Sequence, residues 1–251
     1  MLSVSTIILG AIVLTAGSIL QGAVGFGYGL FAVPLLMAAG FSTEVAVAAM
    51  CTGAMIQSSA ATYALRNHVP VRTAVVGTVV RVPFMLFGVF ILTRLVLFPI
   101  TYVRCGVGVL VLVLLFLQVT MVTDGDRDLS PAWAGFAFAC SGVLAGMVGM
   151  GGVPLVLWAM AKPWTSLQTR AFFFASFATT VPVLLIILGA TFGSPVGWGI
   201  LAGLASAPLV YLGGTLGVSV GNRFSKLLLR RVAFGLLTFV ALKSIVPVWI
   251  R

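Results

Sequence analysis

The chain has 251 residues, of which 61% are hydrophobic and only 7% charged, with a formal net charge of +10 at pH 7. Soluble domains carry about 25% charged residues, so this composition excludes a soluble protein and predicts an all-α integral membrane protein. The basic excess does not indicate nucleic acid, because Lys and Arg are scattered over loops and helix ends, where anionic lipid and membrane topology explain them.

Eight apolar segments are candidates for crossing the bilayer, which takes about 20 residues each. In chain order they cover residues 4–21 with an extension to 39, then 44–64, 73–93, 98–121, 132–160, 168–189, 197–219 and 230–249. The first runs on without a small-residue cleavage site, so we expect no cleaved signal peptide. The first and fifth are too long, since residues 2–39 would form a helix of roughly 57 Å against a hydrocarbon core of about 30 Å. Both should be tilted, broken or re-entrant.

Each over-long segment contains a glycine cluster, GAVGFGYG at Gly22–Gly29 and GMVGMGG at Gly146–Gly152. Glycine in a membrane helix either lets helices pack closely or interrupts a helix, so that free N–H groups face a protected cavity. We favour interruption, because the clusters occupy corresponding positions of two repeats. Pro34 and Pro154 follow them as candidate hinges of restarted helices, whose N-terminal N–H groups suit an anion.

The repeats are read from three landmarks that recur in order. GAVGFG recurs as GMVGMG, RVPFMLFG as SAPLVYLG and YVRCGV as LLRRVA, at offsets of 124, 125 and 126 residues. They predict two homologous four-helix repeats, 1–125 and 126–251, joined by a polar linker at 123–131. With eight crossings the repeats are parallel, and Lys and Arg divide eight to four between the two sides, which places both termini outside. Glycine segments that fold back as full hairpins would instead make the repeats inverted.

The stretches QGAVGFGYGLFAVPLL, from Gln21, and GVLAGMVGMGGVPLVL, from Gly142, resemble the paired glycine-rich signatures of the TauE/SafE sulfite exporter family. The resemblance covers the whole chain. It implies export of sulfite, an organosulfonate or a related small organic anion across the bacterial inner membrane. One departure concerns Pro154, which follows Gly152 sooner than in the family motif and so affects the geometry of the second cluster.

Arg81 lies about eight residues into the third segment, where an arginine is costly and functional by default. Its planar guanidinium matches an oxyanion, so we predict that it is the principal substrate ligand; the alternative is that it snorkels to an interface or bonds helix carbonyls. Arg170 opens the sixth segment, either as an interfacial anchor or as a ligand at the cytoplasmic mouth. Gln57 and Ser58 lie in the second segment, as ligands or as interhelical hydrogen-bonding groups.

Several functions are excluded by what the sequence lacks. Glu44 is the only glutamate and all three aspartates lie in the linker, so no carboxylate is available for a proton relay inside the membrane. There is no P-loop, catalytic constellation or metal-ligand set, and we expect no enzyme activity, cofactor or metal. The three isolated cysteines, Cys51, Cys105 and Cys140, should be packing residues.

These observations predict a potential-driven facilitator of a small anion, embedded in the lipid bilayer. An anion channel and an ion-coupled carrier of other anions, such as carboxylates, are the alternatives, and the oligomeric state is open, a homodimer included. The predicted substrate-binding residues are Gln21, Gly25, Phe26, Gly27, Gln57, Ser58, Arg81, Gly149, Met150, Gly151, Gly152 and Arg170.

Overall fold

The computed structural model describes residues 4–121, 131–223 and 226–245. Throughout this part of the chain the secondary structure is helical, which confirms the predicted class. Its α-helices are α1 (Val4–Val24), α2 (Tyr28–Ala38), α3 (Thr43–Ala64), α4 (Val71–Leu95), α5 (Ile100–Met121), α6 (Pro131–Val148), α7 (Gly152–Met160), α8 (Ser166–Phe192), α9 (Ser194–Ala205), α10 (Ala207–Arg223) and α11 (Lys226–Ile245), with a 3-10 helix at Arg66–His68.

Six of these helices are each long and apolar enough to cross a membrane: α1, α3, α4, α5, α6 and α8. The pair α9 and α10, bent by 58° at its junction, makes a seventh candidate if it is counted as one span. Helix α2 and the Phe234–Ile245 part of α11 are apolar but shorter. The described residues therefore give six or seven candidate spans.

Local signals explain where several helices begin. Helix α4 follows Pro70, and α6 starts at Pro131. Proline at the start of a helix costs no hydrogen bond, because an N–H at this position would have no acceptor within the helix. Helix α8 has a capping box, in which the Thr165 hydroxyl accepts a hydrogen bond from the Gln168 N–H and the Gln168 side chain accepts one from the Thr165 N–H. These caps hold the ends of the long helices in place.

Each interrupted segment folds back on itself as an antiparallel hairpin. A Cβ added to Gly10, early in α1, would lie 2.9 Å from the ring of Phe41, which follows the end of α2. In the second hairpin the ring centroid of Trp158, late in α7, is 5.0 Å from that of Phe138, early in α6. This differs from the arrangement with parallel repeats, because the chain reverses direction at both clusters instead of continuing onward.

Long helices from the first and second parts of the chain pack in matching pairs, α4 along α6 and α1 along α10. Glycines make both crossings close: a Cβ at Gly88 would stand 3.0 Å from the Cα of Gly146, and one at Gly217 would stand 3.0 Å from the Cα of Gly22. The sequence offset of 125 aligns Gly88 with Gly213. The glycine at the second crossing is instead Gly217, which lies four residues, or about one helical turn, further along. The extra turn falls in the bent pair α9 and α10.

The buried core surrounds the two hairpins. Residues of α2 and α3 such as Val33, Leu36 and Ala48 are fully buried, and α3 packs on both α8 and α9. By contrast α4 exposes large apolar side chains, Phe87 and Phe90 among them, on the surface that faces away from the core. Exposed apolar faces of this kind suit lipid rather than water.

Candidate functional site

The first helix of each hairpin ends in a glycine with left-handed backbone. Gly25, at φ 92°, donates its N–H to the Gln21 carbonyl at 2.6 Å, and Gly149, at φ 71°, donates to the Ala145 carbonyl at 2.9 Å. Such a residue satisfies one of the last helical carbonyls and turns the chain away, and glycine adopts the conformation without Cβ strain.

The helices that restart after the two breaks begin beside each other. Helix α2 starts at Tyr28 and α7 at Gly152, and neither N-terminus is capped by a side chain. The breaks are in contact, since a Cβ at Gly29 would overlap the carbonyl oxygen of Gly149. The first N–H groups of a helix have no partner within it and carry a partial positive charge. Two sets of such donors therefore lie close together in the interior.

A cavity of about 50 Å³ separates the two breaks from α3, α4 and α8. One water molecule needs about 10–15 Å³, so the cavity has room for a few waters or for one anion of a few heavy atoms. The residues that line it are Gln21, Phe26, Gly27, Tyr28, Gly29, Leu30, Met50, Cys51, Ala54, Arg81, Met85, Ala145, Gly149, Met150, Gly151, Gly152, Val153, Phe177, Thr180, Val181 and Leu184.

Arg81 is the one charged residue that the described structure places in this lining, and it is only 2% exposed. Its Nη1 lies 3.4 Å from the carbonyl of Ser176, its Cζ lies 5.9 Å from the ring centroid of Phe177, and its Nε has no hydrogen-bond partner in the described structure. Among the residues that the structure describes, no carboxylate lines the cavity; Glu44 accepts a hydrogen bond from the Ser42 hydroxyl at 2.6 Å, in an exposed position.

A buried charge without a counter-ion is strongly unfavourable, and leaving one partner of a buried ion pair alone costs about 3–5 kcal/mol. An anion in the cavity would supply the missing charge to Arg81. It would also accept hydrogen bonds from the two helix N-termini, whose first residues line the same cavity. The arrangement is therefore electrostatically suited to one small anion.

Three neutral polar side chains complete the lining. Gln21 is 2% exposed and its Oε1 has no hydrogen-bond partner among the described residues, and the same holds for the buried hydroxyl of Tyr28. Thr180 is satisfied, because its hydroxyl donates to the Ser176 carbonyl at 2.6 Å. Gln21 and Tyr28 thus add hydrogen-bonding capacity that the protein itself leaves unused.

Eight of the twelve predicted substrate-binding residues line this cavity. They are Gln21, Phe26, Gly27, Arg81, Gly149, Met150, Gly151 and Gly152. Gly25 belongs to the first break but faces Arg170, whose Cγ would lie 3.5 Å from an added Cβ. Arg170 itself donates to the carbonyl of Gly22 at 2.9 Å, and so binds α8 to the C-terminal end of α1 rather than lining the cavity.

The other two predicted residues lie elsewhere on α3. Gln57 donates from Nε2 to the Ser18 carbonyl at 3.0 Å and lines a second cavity between α3, α8 and α10, of about 220 Å³. Ser58 is fully buried outside both linings. Of the predicted hinges, Pro34 lies inside α2, and Pro154 is the third residue of α7, where a helix needs no N–H.

Sequence reasoning missed Tyr28, Phe177 and Thr180. Tyr28 lies inside the first glycine cluster, where the predicted ligands are Gly25, Phe26 and Gly27. The other two belong to α8, which starts at Ser166, 123 residues after the Thr43 start of α3. Extending that offset along the helices pairs Thr180 with Gln57, which lies outside this cavity, so the spacing carries no signal that selects these two residues.

Among the described residues no group of three or more His, Cys, Asp or Glu side chains could hold a metal ion.

Comparison with known proteins gives one match. The family model described as Sulfite exporter TauE/SafE matches residues 9–244, which is nearly the whole chain. No curated protein and no solved structure matches.

Proposed function

The chain belongs to the TauE/SafE sulfite exporter family, a family of membrane transporters, and we propose from this premise that it exports sulfite or a small organosulfonate through the cavity between its two helix breaks. It is a multi-pass protein of the inner membrane. The observation that carries the proposal is Arg81, a buried cation that has no counter-ion among the described residues and lines the same cavity as two uncapped helix N-termini. Sulfite and sulfonates offer the oxygens and the charge that these groups lack.

The size of the cavity supports a small substrate. A volume of about 50 Å³ accommodates an anion of the size of sulfite, whereas a sulfonate with a longer organic group requires the lining to move apart. The two breaks, which touch at Gly29 and Gly149, are the natural place for that movement.

Basic residues give the orientation. Because α7 runs back along α6, and α6 lies parallel to α4, the end of α7 is at the same side as the beginning of α4. This side carries Arg66, Arg72, Lys162, Arg170 and Arg223, and the other carries Arg94, Arg104 and Lys243. By the positive-inside rule the first side is cytoplasmic, and both termini face outward.

With this orientation the two proposed repeats, 1–125 and 126–251, are inverted, since α1 and α6 start from opposite sides. An inverted pair of broken helices that meet near the midplane is a common design of secondary transporters. Arg170 lies at the cytoplasmic side of the first break, where its charge attracts anions toward the cavity.

The driving force follows from the lack of acidic groups. The described part of the chain places no carboxylate in the cavity lining, so we propose uniport driven by the substrate gradient and the membrane potential. A potential that is negative inside favours anion efflux by about 2.3 kcal/mol per charge per 100 mV. Coupling to sodium through backbone carbonyls is the alternative carrier mechanism, and an anion channel is the alternative outside the carrier class.

Reconstitution into proteoliposomes tests the proposal. Efflux of radiolabelled sulfite should follow a potential clamped with potassium and valinomycin, at equal pH and without sodium, and should saturate with concentration. A linear dependence on concentration indicates a channel, and a requirement for a proton or sodium gradient contradicts the uncoupled mechanism. If neither sulfite nor a sulfonate is transported, the proposed function is wrong.

A further inference from the structure

Tyr28 is held in an unusual position. It is the first residue of α2, yet its side chain is 3% exposed and lies between α1 and α3. Two glycines make the room: a Cβ at Gly17 would stand 2.5 Å from the tyrosine Cδ2, and one at Gly53 would overlap the hydroxyl oxygen. Any side chain at Gly17 or Gly53 would therefore displace the tyrosine ring.

The hydroxyl has no evident structural use. Among the described residues it has no hydrogen-bond partner, although it is buried. An unsatisfied buried hydroxyl is destabilising, and phenylalanine would fill the same space without that penalty. Stability alone therefore does not explain a tyrosine at this position.

The surroundings of Tyr28 point to a ligand instead. Tyr28 lines the same cavity as Gln21 and Arg81, and each of the three has a buried polar atom without a partner, namely the hydroxyl of Tyr28, Oε1 of Gln21 and Nε of Arg81. Three unsatisfied groups on residues that line one small space are explained together if a single ligand satisfies them. Against an anion the phenolic O–H acts as donor.

We infer that the Tyr28 hydroxyl donates a hydrogen bond to an oxygen of the transported anion and sets its binding affinity. This inference rests on the proposed function and assigns a further residue to the same site. Arg81 supplies charge, whereas Tyr28 supplies a directed neutral donor from the hairpin α1–α2. Because α2 begins at this residue, the donor moves together with the first break.

The test is Tyr28→Phe, which removes one oxygen and keeps the ring. A hydrogen bond to a charged group contributes enough to binding that its loss should weaken sulfite about tenfold to a hundredfold in isothermal titration of the purified protein in detergent. In proteoliposomes KM should rise by a similar factor while kcat changes little, as expected for an interaction present in both the bound and transition states. The Tm without ligand should stay equal or rise. The matched control is Tyr63→Phe, because Tyr63 is 72% exposed and lies on α3 outside the cavity.

The outcomes separate the inference from its premise. Wild-type affinity for sulfite in folded Tyr28→Phe overturns the role of the hydroxyl while the transporter assignment stands. A lowered Tm with unchanged affinity identifies Tyr28 as a packing residue only, and likewise overturns it. If the wild-type protein binds neither sulfite nor methanesulfonate, the proposed function is wrong and the assignment of Tyr28 falls with it.

Discussion

The two breaks share one feature, the left-handed glycines Gly25 and Gly149, but Gly27 and Gly151, each two residues further on, require glycine for different physical reasons. At the first, Gly25 and Gly27 have φ of 92° and 99°, and the nearest atoms to an added Cβ lie 3.5 Å away or more. At the second, Gly151 has an ordinary φ of −69°, but a Cβ would stand 2.5 Å from the Ser141 carbonyl oxygen. Positive φ requires glycine at Gly25 and Gly27, whereas close packing requires it at Gly151.

The neighbours of the two breaks differ as well. An added Cβ at Gly25 would face Arg170 and Phe173, whereas one at Gly149 would face Val47 and Met50. Arg170 and Val47 are 123 residues apart, as are Phe173 and Met50, which is also the spacing between the starts of α8 and α3. Gly25 therefore has a cation beside it, whereas Gly149 has two apolar side chains beside it. One motif has been adapted to two environments.

The largest effect should come from Arg81, which faces both breaks. Arg81→Gln should reduce sulfite affinity by more than about a hundredfold, because the anion loses its counter-charge in a buried site. The unliganded protein should become more stable, since an unpaired buried charge is removed. Titration calorimetry and thermal unfolding measure the two effects.

Arg94→Gln is the matched control for this change, because Arg94 is exposed on the same helix. Arg81→Lys should bind sulfite poorly, as a point charge lacks the planar fork. Near-normal affinity of Arg81→Gln would move the site away from α4.

The different needs for glycine can be separated with asparagine, which tolerates positive φ better than alanine does. At Gly27 we expect Asn to be less destabilising than Ala, which should cost about 1–2 kcal/mol. At Gly151 the order should reverse, because overpacking by Ala costs about 1–3 kcal/mol and a larger side chain costs more. Thermal unfolding of the four unliganded variants gives the comparison. The same order at both positions would show that the breaks do not differ in this way.

A smaller effect is expected at Arg170. Arg170→Gln removes the hydrogen bond to the Gly22 carbonyl at the end of α1 and should destabilise that hairpin by about 1 kcal/mol. Hydrogen exchange should quicken around Gly25 and stay unchanged around Gly149. Sulfite affinity should change less than threefold, because Arg170 does not line the cavity. A loss as large as that of Arg81→Gln would instead make Arg170 a substrate ligand.

The sequence carries enough information to find the breaks but not the path of the chain beyond them. The length of the segment 2–39 excludes one straight crossing, and the structure ends α1 at Val24 and begins α2 at Tyr28. Glycine spacing cannot decide between continuing and folding back. That choice depends on tertiary contacts such as Gly10 against Phe41, which join residues far apart in sequence.

The same limit applies to the candidate site, where local sequence could select only some of the residues. Residues in or beside the glycine clusters, and the single arginine deep in a segment, could be chosen from local sequence because each violates the normal composition of a membrane helix. Phe177 and Thr180 could not, since aromatic and hydroxyl residues are ordinary in apolar helices. Gln57 looked equally suitable, but it lies on the part of α3 that contacts Ser18.

The most direct test of the account is to locate the bound anion with selenite, an analogue of sulfite that scatters anomalously at the selenium edge. In crystals of unlabelled protein grown with selenite, we expect one anomalous peak in the cavity, within hydrogen-bonding distance of the Arg81 guanidinium and of N–H groups at the beginnings of α2 and α7. The peak should disappear in Arg81→Gln. A peak in the second cavity beside Gln57 and Tyr211, or none between the two breaks under saturating selenite, would contradict the claim that the breaks and Arg81 form one anion site.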